Sequence, residues 1–139
     1  MELSGVDHIG VVVDDLDEAK GFLGETLGLA LDREAEMEAL GLKAAFYRCG
    51  PVMIEAVELV SPDSPFRPLA DGAKARIDHI AVEVDDARAV MDELRGSGVE
   101  SLDVGSGEDP LDIGGNLSYW TVPDTSDGVT YQLIQKGGG

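Results

Sequence analysis

Two stretches of this chain alternate apolar and polar side chains with the period of two that marks a half-buried β-strand, and they do so in matching words. Residues 6–15 read Val-Asp-His-Ile-Gly-Val-Val-Val-Asp-Asp, and residues 77–86 read Ile-Asp-His-Ile-Ala-Val-Glu-Val-Asp-Asp. The offset is 71 (79 − 8) throughout, and seven of the ten positions are identical. Internal similarity of this length in a short chain predicts a duplicated unit. In the first copy Ile9, Val11 and Val13 share one face of the strand, while His8, Gly10 and Val12 share the other. In the second copy Ile80, Val82 and Val84 oppose His79, Ala81 and Glu83. The apolar triplets are expected to pack on the helices that follow, Asp14 to Gly28 and Asp85 to Gly98, each ending at glycine. The Asp14-Asp15 and Asp85-Asp86 pairs close the strands, and an aspartate there can cap the helix. Both histidines therefore fall on the face away from their own helix.

The remainder of each half reads as further strands. Leu42 to Cys49 and Val52 to Leu59 flank a Gly50-Pro51 turn signal. Asn116 to Val122 and Val129 to Gln135 flank a turn-rich segment, Pro123 to Gly128. The pattern predicts two βαβββ modules, about 5–60 and about 76–136, joined by a linker over 61–75. The linker opens with Ser61-Pro62-Asp63-Ser64-Pro65, and Phe66 to Gly72 is expected to hold one helical turn. Gly105 to Gly115 is expected to be a glycine-rich loop at the rim of a cleft. The alternating acidic run Glu34, Glu36 and Glu38 reads as a solvated loop or strand edge. The Gly137-Gly138-Gly139 tail is expected to fray.

Composition narrows the function classes. Apolar residues make up 43% of the 139 and aromatics only 5%, so the core is expected to be aliphatic. The formal charge of −18 argues against nucleic acid, whose phosphates it would repel, and against anionic lipid surfaces. No apolar run approaches the roughly 20 residues of a membrane span. The single cysteine, Cys49, cannot form an internal disulfide, and a reducing cytoplasm is the expected compartment. Before the Gly50-Pro51 turn, Cys49 reads as a buried small residue rather than a nucleophile. No phosphate-binding loop, dinucleotide fingerprint or nucleophile elbow is present.

The last strand of each half carries one polar residue among apolar ones: Glu55 in Val52 to Val57, and Gln132 in Val129 to Ile134. A mid-strand carboxylate is costly to bury unless it is paired or ligates a cation. A lone strand histidine is more often a hydrogen-bonded core residue than a ligand. Glu55 alone would read as an exposed edge residue, and Gln132 alone as a partner of a neighbouring strand. Two histidines at one phase of a repeat, each with such a companion, predict instead that His8, Glu55, His79 and Gln132 bind one divalent metal ion. This N/O set suits Co²⁺, Ni²⁺, Mn²⁺, Fe²⁺ or Zn²⁺.

The chain resembles the vicinal oxygen chelate superfamily, which includes glyoxalase I, extradiol dioxygenases, fosfomycin-resistance proteins and the methylmalonyl-CoA epimerases, and it looks most like the last. The resemblance covers nearly the whole length. It is carried by Val6 to Gly10, Leu27-Gly28-Leu29, Gly41 to Phe46, Ile54-Glu55, Ser61 to Pro65, Ile77 to Asp86, Gly114-Gly115 and Gly128-Val129. It implies an α+β, glyoxalase-like fold in which tandem βαβββ modules form a curved mixed sheet around a metal cleft. It further implies a metal-dependent epimerase of a small acyl-CoA thioester such as methylmalonyl-CoA, a homodimer, and a metal-stabilised enediolate. Proton transfer on both faces of that enediolate needs two bases. Glu55 is the strong candidate and Glu83, on the histidine face of its strand, the second. Where the epimerases usually carry a final Glu ligand that is also a candidate base, this chain has Gln132. Their Phe-Leu-His-Pro-Lys segment reads Trp120-Thr121-Val122-Pro123-Asp124 here.

Two other readings use the same scaffold. His8, His79 and Glu55 could serve as the two-His, one-carboxylate triad of an Fe²⁺ dioxygenase, or the site could support a glyoxalase-type lyase. A non-catalytic protein that sequesters or senses a small molecule would tolerate Gln132 in place of a catalytic Glu.

Overall fold

The computed structural model describes residues 1–137; Gly138 and Gly139 of the glycine tail lie outside the described residues. The chain divides into two compact units, one of residues 8–78 and one of residues 1–7 with residues 79 onward. Each contains the expected βαβββ order. The fold is α+β, and each unit carries a four-stranded mixed sheet.

In the unit of residues 8–78, strand β1 (Leu3–Val13) leads to helix α1 (Leu16–Gly21), which runs on as a π-helical turn over Phe22–Thr26. Strands β2 (Ala30–Met37), β3 (Leu42–Cys49) and β4 (Val52–Leu59) follow. The helix forms where Asp15 takes the N-cap and accepts from the Glu18 backbone N–H at 3.1 Å. Leu16 and Leu23 then face Val13, Ala45, Tyr47 and Ala56, with Val11 and Ile54 packed alongside. This is the apolar triplet's face of β1, as the alternation predicts. β1 and β4 run parallel, with Gly10 opposite Glu55 and His8 opposite Met53. Glu34 and Glu36 lie in β2 at the sheet edge, where Lys20 pairs with Glu34, and Glu38 opens the 3-10 turn that follows.

In the other unit, β5 (Ala75–Val84) leads to α2 (Ala87–Gly96), then β6 (Leu111–Ile113), β7 (Asn116–Trp120) and β8 (Thr130–Gln135). Asp86 caps α2, accepting from Ala89 at 3.0 Å. Val90 and Met91 pack on Val82, Val84, Tyr119 and Leu133. β5 and β8 run parallel with Ala81 opposite Gln132, so the pairing Gly10–Glu55 of the first unit is repeated in the second. A further parallel lies at the helix starts. Glu58 of β4 accepts from the Leu16 N–H at 2.8 Å, and Gln135 of β8 accepts from the Ala87 N–H at 2.9 Å. Each final strand thus ties down the start of its own helix, with Glu in the first unit and Gln in the second.

The structure corrects four local expectations. Phe66 to Gly72 holds turns and no helical turn; two prolines, Pro65 and Pro68, interrupt the helical hydrogen-bonding pattern there. Cys49 is exposed rather than buried, because it ends β3 at the Gly50-Pro51 turn, beyond the reach of the core. The glycine-rich stretch is not all loop: Leu111–Ile113 forms β6 and pairs with β7, which supplies the module's missing strand. Gly137 is tied down by an N–H bond to Asn116 Oδ1 at 2.9 Å. No helix among the described residues is long and apolar enough to cross a membrane.

Gly41 is where backbone freedom matters most. It turns the chain into β3 at φ +64°, and a Cβ built there would lie 2.8 Å from Ser61 Cβ. Its carbonyl accepts from Val60 and Ser61. Gly41→Ala should therefore cost at least about 1–2 kcal/mol from the left-handed backbone alone, read as a lower urea midpoint with an unchanged slope. A midpoint equal to that of the parent would show that residue 41 does not hold this left-handed turn.

Candidate metal site and its supporting residues

His8 lies in β1 and is only 3% exposed. The parallel register sets Glu55 diagonally from it on the same face of the sheet, and Glu55 is also buried. Their side chains converge: His8 Nε2 stands 3.3 Å from Glu55 Oε1. The reading of Glu55 as an exposed edge residue is thereby excluded, since β4 is flanked by β1 and β3. Phe46 of β3 lies directly opposite Glu55 and sets its ring edge-on to the imidazole of His8, with centroids 5.5 Å apart and planes at 88°. The imidazole therefore has an aromatic wall on one side and a carboxylate on another.

His79 and Gln132 repeat the same diagonal in β5 and β8, and both are buried. Gln132 Nε2 donates to Ser118 Oγ at 3.0 Å, a buried bond to the neighbouring strand β7. The amide nitrogen is thus committed, and the amide oxygen is the atom of Gln132 suited to a cation. Glu83 follows in β5 on the same face as His79 and Ala81, half-buried and opposite Ile134.

Each histidine follows an aspartate, and each aspartate is held by a cation. Asp7 is buried and pairs with Lys136 Nζ at 2.6 Å. Asp78 pairs with Arg76 at 2.8 Å, and Arg76 also donates to the backbone oxygens of Arg67 and Pro68. These pairs anchor the two Asp-His dipeptides within their strands. Sequence reasoning did not single out Asp7, Asp78, Ser118 or Phe46. The repetition of Asp before both histidines was the available signal for the first two; the others depend on strand register.

The unit of residues 79 onward also holds a cavity of about 270 Å³ lined by Val104, Asp109, Pro110, Ser118, Tyr119 and Trp120 among others. The expected rim loop supplies part of this lining. Burial, and then the neighbouring Asp109 carboxylate, raises the Tyr119 phenol above its ordinary pKa.

The comparisons with known proteins agree with this architecture. Mouse mitochondrial methylmalonyl-CoA epimerase is 26% identical over 135 residues, which is 96% of this chain and 74% of the mouse protein. A structure of Streptomyces coelicolor methylmalonyl-CoA epimerase in complex with 2-nitronate-propionyl-CoA superposes with a TM-score of 0.86 at 22% identity, over 99% of this chain and 100% of that one. A hypothetical protein from Bacillus halodurans superposes with a TM-score of 0.81 at 26% identity, over 96% of this chain and 95% of its own. A family model described as Glyoxalase/Bleomycin resistance protein/Dioxygenase superfamily matches residues 7–113, and with that match over most of its length the chain belongs to this superfamily.

Proposed function

We propose that this chain is an epimerase of small acyl-CoA thioesters, methylmalonyl-CoA among them, and that it works with one divalent metal ion. The observation that carries the reading is the buried Glu55 carboxylate converging on the His8 imidazole. Relatives named methylmalonyl-CoA epimerase align over 96% of the chain, which favours this reaction among those of the superfamily.

The residues fit a metal. His8 and Glu55, buried and 3.3 Å apart, would hold an ion together with the buried imidazole of His79. Gln132 would add its amide oxygen, since its nitrogen is engaged by Ser118. Two nitrogen and two oxygen donors with one negative charge suit Co²⁺, Ni²⁺, Mn²⁺, Fe²⁺ or Zn²⁺. A bound ion would supply Lewis-acid stabilisation for the negative charge that builds on the thioester oxygen as the α-proton leaves. The chain's own residues do the rest. Glu55 takes the α-proton, and Phe46 closes one side of His8. Glu83 is the candidate for the opposite face. A two-His, one-carboxylate dioxygenase is the second reading, favoured by the donor types of buried His8, His79 and Glu55. The homodimer implied by the resemblance is part of the proposal and is read from sedimentation.

Metal-loaded protein incubated with methylmalonyl-CoA in deuterated water should epimerise it and incorporate deuterium at the α-carbon. Glu55→Gln should lower that exchange by about 10²–10⁴-fold, the usual contribution of a positioned base. Exchange absent in the parent protein, with oxygen consumed instead, would move the assignment to the dioxygenase. Ser118→Ala should weaken metal binding by about 10–100-fold, as expected for a residue that orients a ligand, whereas Ser118→Thr should hold it near the parent value. Equal metal affinity in Ser118→Ala would remove Gln132 from the ligand set.

A further inference from the structure

The geometry points to Arg33, supported by Arg48, as the residue that recognises a carboxylate on the acyl part of the substrate. This inference rests on the metal site proposed above and adds the substrate's charge to it.

Four strands place Arg33 on the sheet face that carries His8 and Glu55. Arg33 stands opposite Phe46, Phe46 opposite Glu55, and Glu55 opposite Gly10. Residues directly opposite in neighbouring strands project to one face. The placement depends on an irregularity. The β2–β3 register shifts between Leu31 and Arg33, so that Asp32 is the extra residue. Without the bulge, Asp32 would stand opposite Phe46. Bulges re-aim side chains in this way beside functional sites.

The guanidinium lies over the Phe46 ring with its carbon 4.0 Å from the centroid. Because the same ring is 5.5 Å from the His8 ring, Arg33 is at most about 9.5 Å from the imidazole (5.5 Å and 4.0 Å end to end). The displaced Asp32 binds two arginines: Oδ2 accepts from Arg33 at 3.1 Å and Oδ1 from Arg48 at 2.9 Å. Arg48 stands in the row of Met53 and His8. Two guanidinium groups around one carboxylate leave the cluster with a net positive charge, in a chain whose total is −18. The Arg33 side chain is half exposed, so donors remain for a ligand.

A planar guanidinium matches a carboxylate with two parallel hydrogen bonds. The span to His8 fits a carboxylate separated by a short chain from a carbonyl held at the histidine. The phosphates of coenzyme A lie too far along the pantetheine arm for this position, so the acyl carboxylate is the partner.

The test uses two chelating probes of similar length on metal-loaded protein: succinic monohydroxamate, with a carboxylate tail, and butyrohydroxamate, with a methyl tail. Calorimetric titration should show about a tenfold preference for the charged probe, the scale of one hydrogen bond to a charged group. Arg33→Met should abolish the preference while leaving metal content and butyrohydroxamate affinity unchanged, and the preference in the parent should shrink as salt rises. A preference absent in the parent, or intact in Arg33→Met, overturns the role of Arg33 alone. If neither hydroxamate binds metal-loaded protein, the metal reading fails and this inference with it.

Discussion

A carboxylate buried in a β-sheet has to be compensated, and most of what distinguishes this chain follows from how Glu55 meets that requirement. Removing a charge from water without a partner is far more costly than any single packing contact returns. Glu55 is brought to His8 by the parallel pairing of β1 with β4, which sets the two side chains diagonally on one face. The pairing in turn depends on the apolar triplet of β1 packing against α1 on the opposite face. A slip of one residue would turn Glu55 toward the helix and the apolar set toward the histidine. The capped helix, the aliphatic core and the site-bearing face are therefore parts of one constraint.

The second module repeats the arrangement with its charge removed. Gln132 takes the register of Glu55, and Gln135 takes the role of Glu58 in holding the helix start. At both positions the second module has an amide where the first has a carboxylate. An amide can still accept from an N–H or offer oxygen to a cation, so the structural duties survive. What is lost is proton exchange, which leaves Glu55 as the carboxylate on which the proposed epimerase chemistry would depend. Ser118 then acquires its importance: by holding the amide nitrogen, it decides which atom of Gln132 is offered.

The repeat made the architecture legible from the chain itself. The alternation around His8 and His79 gave both leading strands, their faces and their helices, and Asp15 and Asp86 cap those helices as the sequence suggested. Glu55 was legible as a polar residue in an apolar strand. Elements without periodicity were harder to read. The three-residue β6 was hidden in a glycine-rich stretch, and the proline-spaced linker passed for a helical turn. Cys49 was misplaced because its distance from the core is set by a turn rather than by its own chemistry. Phe46, Arg33 and Ser118 escaped for a common reason. Their roles arise from which residue stands opposite which in neighbouring strands, and in β2 that register is changed by a bulge. Pairing between strands far apart in sequence is a property of the folded sheet.

The claim at the centre of this account is that one ion is bound by histidines from both modules. Elemental analysis of protein purified without added metal, beside His8→Ala and His79→Ala, tests it most directly. The account predicts one equivalent of a transition metal in the parent chain and its loss in both variants, with each variant still folded. Metal retained in either variant would contradict a site shared by His8 and His79.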